Sequence, residues 1–125
     1  MISLSVPARA EYVHVLRTVV SGVGAGQDLS IDDIDDLRLA VDEASAHLLK
    51  IDPDAQALRL DLETQGTSLI VTVGIATPAR RNEAPTDQFL TWHILGALTD
   101  GAESVVEEYG PAVRFSKRMK PPTRL

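Results

Sequence analysis

The chemistry this sequence can offer is concentrated in Asp42-Glu43-Ala44-Ser45-Ala46-His47. Glu43 and His47 stand four apart, so on a helix their side chains share one face. A carboxylate held beside a second polar group can orient or deprotonate a hydroxyl, which is the work of a general base. The same spacing also describes an ordinary helix-supporting pair worth a few tenths of a kcal/mol, and spacing alone favours that use. His14, His47 and His93 show no metal-ligand spacing. The 125 residues contain no cysteine, which excludes a disulfide framework, a thiolate metal site and a cysteine nucleophile. Gly22-Val23-Gly24-Ala25-Gly26 superficially matches a dinucleotide-binding fingerprint. It closes an apolar helical stripe instead of following a strand, so it reads as a helix stop.

The elements that must position these residues follow from periodicity. Ile2, Leu4 and Val6 alternate with serines up to Pro7, the pattern of a short half-buried strand. Tyr12, Val15, Leu16, Val19, Val20 and Val23 build the apolar stripe of a first helix. Ser30 is a good N-cap for a second, with Asp32 and Asp33 in the first turn where the helix dipole favours negative charge. Ile34, Leu37, Val41, Ala44, Leu48 and Ile51 then follow at spacings of 3, 4, 3, 4 and 3, ending before Asp52-Pro53.

Leu58, Leu60 and Leu62 predict a strand with one wet face, turning at Gln65-Gly66 into an antiparallel partner through Leu69, Val71, Val73 and Ile75. Thr77 to Thr86 reads as a long polar loop, and Asp87 to about Asp100 as a third helix carrying Phe89, Trp92 and Leu95. Val105–Tyr109 and Ala112–Met119 predict a closing hairpin around Gly110-Pro111. This order implies an α+β two-layer sandwich, a mixed sheet of about five strands with three helices on one face. A single domain over residues 1–120 with a frayed tail at 121–125 is expected.

Composition narrows the class. Eighteen acidic and twelve basic residues leave a net charge of −6, which disfavours nucleic-acid binding. Arg114, Lys117, Arg118, Lys120 and Arg124 gather near the C-terminus. Without stacking aromatics they read as a solvated end, not a nucleic-acid arm. No signal peptide is expected from Met1-Ile2-Ser3-Leu4-Ser5, and Leu69 to Ala76 is far short of a membrane span. A soluble cytoplasmic protein is the expectation. Asp32, Asp33, Asp35 and Asp36 read first as dipole complementation and a wet face, and second as steering for a basic partner.

Asp36-Leu37-Arg38-Leu39-Ala40-Val41-Asp42-Glu43-Ala44 resembles the N-box helix of the RsbW-type anti-sigma factor serine kinases, members of the histidine-kinase-like (GHKL) ATPase superfamily. Pro7-Ala8-Arg9-Ala10-Glu11-Tyr12 and the first helix through Gly22 also fit that family. Phe89-Leu90-Thr91-Trp92-His93-Ile94-Leu95 resembles its short actinobacterial members, the anti-sigma-F factors. The resemblance implies that Glu43 is the family's general base and that His47 stands where an asparagine holds magnesium. It places Ile75 and Thr77 at the Asp-x-Gly element that binds adenine, and Phe89 and Thr91 at the phosphate-binding glycines.

An imidazole is a poor ligand for Mg²⁺, and a Cβ blocks close approach of backbone to phosphate. About a dozen residues separate Thr77 from Phe89, too few for the usual ATP lid. The expectation is therefore a vestigial Glu43, a degenerate ATP site and no cofactor, with Phe89 and Trp92 in the core and Phe89 filling the former cleft. ATP and Mg²⁺ belong to the alternative, an active serine kinase acting on an antagonist. The resemblance further implies a cytoplasmic stress-response regulator that holds a SigF/SigB-type sigma factor and yields it to a STAS-domain antagonist. Arg17 would be the partner-binding residue and a homodimer the working form, with no nucleic acid or membrane contacted directly.

Overall fold

The computed structural model describes residues 1–77 and 89–119. Strand β1 (Ile2–Pro7) and a 3-10 turn (Ala10–Tyr12) lead into helix α1 (Val13–Ala25) and helix α2 (Ile31–Ile51). Strands β2 (Ala57–Gln65) and β3 (Ser68–Ala76) come next, then α3 (Phe89–Leu98), β4 (Gly101–Glu107) and β5 (Gly110–Arg118). Most of the expected polar loop, the tail, Lys120 and Arg124 lie outside the described residues. Among those described, no helix is long and apolar enough to cross a membrane.

The expected amphipathic stripe of α2 is the centre of the fold. Ser30 Oγ accepts from the Asp33 amide at 3.0 Å while the Ser30 amide donates to Asp33 Oδ2 at 3.3 Å, a reciprocal cap that starts the helix. Leu37, Ala40, Val41, Ala44 and Leu48 are then fully buried. They pack on Leu58, Leu60, Val71, Val73, Ile75 and Val113 of the sheet, with Leu16 and Val20 of α1 and Leu95 of α3 completing the core. All three helices thus cover one face of an α+β two-layer sandwich. The glycines after Val20 lie in the last turns of α1 and at its C-cap, away from any strand-to-helix turn.

The strand order is β1-β2-β3-β5-β4, and every neighbouring pair is antiparallel. The expectation of a mixed sheet is corrected here, and connectivity gives the reason. Two helices separate β1 from β2, so the chain returns in the opposite sense. The single helix α3 makes β3 and β4 run the same way, but β5 inserts between them and removes the parallel contact.

The closing hairpin also differs from expectation. Its turn is Glu108-Tyr109, β4 begins as early as Gly101, and Gly110 and Pro111 belong to β5. Gly110 has φ of +146°, and a Cβ there would overlap the Ile75 carbonyl oxygen. Tyr109 folds back over the open sheet face, its ring lying where a side chain at Gly74 would stand. The Arg59 guanidinium caps that ring 4.9 Å from its centroid. Burial raises the Tyr109 hydroxyl above its ordinary range, and Asp61 and Glu107 raise it further against Arg59 and Arg114.

The basic cluster of the closing strand is not simply a solvated end. Lys117 Nζ donates to Asp36 Oδ2 at 3.2 Å and to the Leu98 carbonyl at 2.9 Å, and lies 3.8 Å from Asp33. It therefore ties β5 to the start of α2 and the end of α3. Arg114 pairs with Glu107 and bonds Thr72, while Arg118 is exposed.

Gly110→Ala should be among the most damaging single-methyl additions, because neither the backbone angle nor the Ile75 carbonyl can yield. A cost of roughly 2–3 kcal/mol is expected, lowering the unfolding midpoint by about 6–10 °C in a thermal melt.

Candidate functional site

Successive residues of a helix are turned by about 100°, so burying Val41 and Ala44 fixes where their neighbours point. Asp42 faces α1, whereas Glu43 and His47 face α3. The two flanks of α2 have different characters.

On the α3 flank, Glu43 Oε1 accepts from Thr91 Oγ1 at 3.0 Å. His47 is 3% exposed, and neither of its ring nitrogens has a hydrogen-bond partner among the described residues. Its ring meets Trp92 edge-on, with centroids 6.1 Å apart. Burial lowers the imidazole below its ordinary value; Glu43 pulls it upward, and Lys50 adds to the depression. Glu43 and His47 therefore share a face without bonding each other, and the carboxylate is engaged by Thr91 instead. Ile75 lies fully buried on β3 and Thr77 is 8% exposed at its end.

Phe89 does not fill this region. It is 84% exposed and stacks on His93, with ring centroids 6.1 Å apart. The expectation of a core phenylalanine is corrected, because the inward stripe of α3 is Thr91 and Leu95, with Trp92 and Leu98 half-buried beside it. Positions 89 and 93 fall on the opposite side. His14 is exposed as well, its Nδ1 lying 2.7 Å from the Glu11 carbonyl oxygen.

The donor set can be weighed against magnesium and adenine. Mg²⁺ requires several oxygen ligands in near-octahedral geometry. Here the available oxygen donor is Glu43, already bonded to Thr91, and the next position is a desolvated imidazole. No group of three or more His, Cys, Asp or Glu that could hold a metal occurs among the described residues. The Ile75 side chain has no atom that could accept from an adenine amino group. Among the described residues at these positions, Glu43 is the one carboxylate and it is already engaged by Thr91.

The α1 flank is wetter. Arg17 Nη1 donates to Asp42 Oδ2 at 3.3 Å, with 37% of the arginine side chain and 36% of the aspartate exposed. The cleft beside them has a volume of about 360 Å³ and is lined by Arg17, Asp35, Arg38, Leu39 and Asp42. Leu39 is 54% exposed within it, an aliphatic spot bordered by charges. Of the acidic cluster, Asp33 caps α2, Asp36 holds Lys117 and Asp35 lies 3.9 Å from Arg38, leaving Asp32 exposed. Sequence spacing signalled neither the Arg17–Asp42 nor the Glu43–Thr91 contact, since each joins separate helices.

No protein-family model matches the chain. It is 35% identical over 116 residues to the anti-sigma-F factor RsbW of Mycobacterium tuberculosis, a match covering 92% of this chain and 67% of that protein. It is also 35% identical over 49 residues to the serine-protein kinases RsbW of Bacillus thuringiensis and Bacillus cereus, covering 39% of this chain and 31% of theirs. The α+β sandwich with a glutamate-bearing helix laid on its sheet is consistent with the histidine-kinase-like ATPase class. With 92% of the chain matched to such a relative, the chain belongs to the RsbW family of anti-sigma factors.

The buried imidazole makes stability depend on pH. Its folded pKa lies below the unfolded value, so its contribution is full above about pH 6.5 and is lost as pH falls below that point. Thermal melts from pH 7.5 to 5 should show the wild type losing stability faster than His47→Leu. Parallel curves would exclude His47 as the source.

Proposed function

We propose that this protein sequesters an alternative sigma factor of the SigF/SigB type and releases it to a STAS-domain antagonist that competes for an overlapping face. The observation carrying this reading is the extent of the two matches. Similarity to an anti-sigma-F factor runs through 92% of the chain, whereas similarity to the serine-protein kinases stops at 49 residues. Binding surfaces tolerate the loss of a nucleotide site; phosphoryl transfer does not. Two partners excluding one another from one face make a switch set by their concentrations and affinities, with no turnover required. Arg17 is the residue assigned to that face, because a planar guanidinium can grip an incoming carboxylate with two bonds.

In this reading Glu43 is a vestigial base, and His47, Ile75, Thr77, Phe89 and Thr91 mark a degenerate nucleotide site without cofactor. The working form is a cytoplasmic homodimer of one domain, residues 1–120, acting in a stress response. Strand β1 at the edge of the sheet supports the dimer, since its outer backbone groups invite pairing. A second reading, ATP-dependent phosphorylation of the antagonist, is favoured by one observation: Glu43 retains a polar contact to Thr91, as an orienting carboxylate would.

Calorimetric titration with the SigF-type sigma factor of the same organism should give saturable binding. Arg17→Ala should weaken it at least five-fold while moving the unfolding midpoint by no more than about 2 °C, since an exposed ion pair contributes under about 1 kcal/mol. Retained affinity would remove Arg17 from the contact. Labelled ATP with Mg²⁺ should show no saturable micromolar binding. Binding that a folded Glu43→Ala protein lacks would revive the kinase reading instead.

A further inference from the structure

We infer that Asp42 is a built-in competitor for the Arg17 guanidinium, so that a partner docks on this face by exchanging its own carboxylate for that of Asp42. The inference rests on the reading of Arg17 as the partner contact and adds the chemistry of how that contact is made. Only Nη1 of the arginine reaches only Oδ2 of the aspartate, at 3.3 Å. This is a one-point contact, and the rest of the guanidinium fork is not bonded to Asp42. An incoming carboxylate able to approach the fork squarely forms two bonds in place of one.

The pair is also easy to open. Both side chains are more than a third exposed, so water screens the attraction and receives Asp42 when it is displaced. Buried Leu16, Val20 and Val41 pack α1 and α2 into one core, which fixes the two helix backbones that carry the pair. The neighbouring Asp35 and Arg38 lie together on α2, so the cleft contains as many anions as cations. An acidic partner therefore gains little from the local field until Asp42 gives way. The surface accordingly selects an acidic segment able to grip arginine, with an apolar side chain alongside to cover Leu39. Occupancy of Arg17 by Asp42 lowers the affinity for every such partner by the fraction of time the arginine is held.

The test is calorimetric titration of the purified SigF-type sigma factor into the full chain and its variants. Removing the competitor with Asp42→Asn should tighten binding about two- to six-fold, as expected for an exposed ion pair that must open first. Asp32→Asn, which removes the same charge from the exposed start of α2 outside the cleft, should leave affinity within error of the wild type. In an Arg17→Ala background, Asp42→Asn should change nothing. Weaker or unchanged binding by Asp42→Asn, while Arg17→Ala binds poorly, overturns the exchange and makes Asp42 a positioning residue. An equal gain from Asp32→Asn overturns it in favour of a general charge effect. Full affinity in Arg17→Ala, or no binding by the wild type, removes the docking reading first and the exchange with it.

Discussion

The rotation of α2 about its own axis is settled by its contact with the sheet. Truncating a buried leucine in such a contact costs about 2–5 kcal/mol, whereas an exposed ion pair contributes at most about 1. Leu37, Val41, Ala44 and Leu48 therefore decide how the helix lies, and the polar residues take the positions left to them. Asp42 is delivered to α1, and Glu43 and His47 to α3, as geometric by-products of core packing. A substitution that re-phased α2 would move both flanks together.

The flanks diverge in what they can do because one is wet and the other dry. A desolvated imidazole beside Trp92 and a carboxylate bonded to a threonine form a packed seam. Such a seam holds two helices together and offers few free donors for charge-rich chemistry. A half-exposed arginine at the edge of a cleft can change partners at small cost. The two flanks can thus change independently without rebuilding the core.

Much of this was readable in the residues themselves. Ser30, the acidic first turn and the 3-4-3-4-3 stripe specify α2 with a start, a face and an end, and the alternating leucines of β2 specify which side is buried. The phase of α3 was not legible, because Phe89, Leu90, Trp92, Ile94, Leu95 and Leu98 give apolar residues on every side. A helix greasy all round carries no directional information, so the exposure of Phe89 could only be seen in three dimensions. Contacts spanning 25, 48 and 81 residues, at Arg17–Asp42, Glu43–Thr91 and Lys117–Asp36, leave no local pattern. The resting place of Tyr109 left one trace, a glycine inside a hydrophobic strand at Gly74, which signals close approach of another group.

The insertion of β5 between β3 and β4 bears on how the chain reaches this state. β3, the middle strand of the sheet, keeps an open flank until the C-terminal strand arrives, and β4 has no sheet to join before then. Pairings of such long loop length form slowly, and an unpaired apolar edge is prone to stick to its neighbours meanwhile. The sheet therefore cannot close before the β4–β5 hairpin docks, which makes the interval before that docking the most vulnerable.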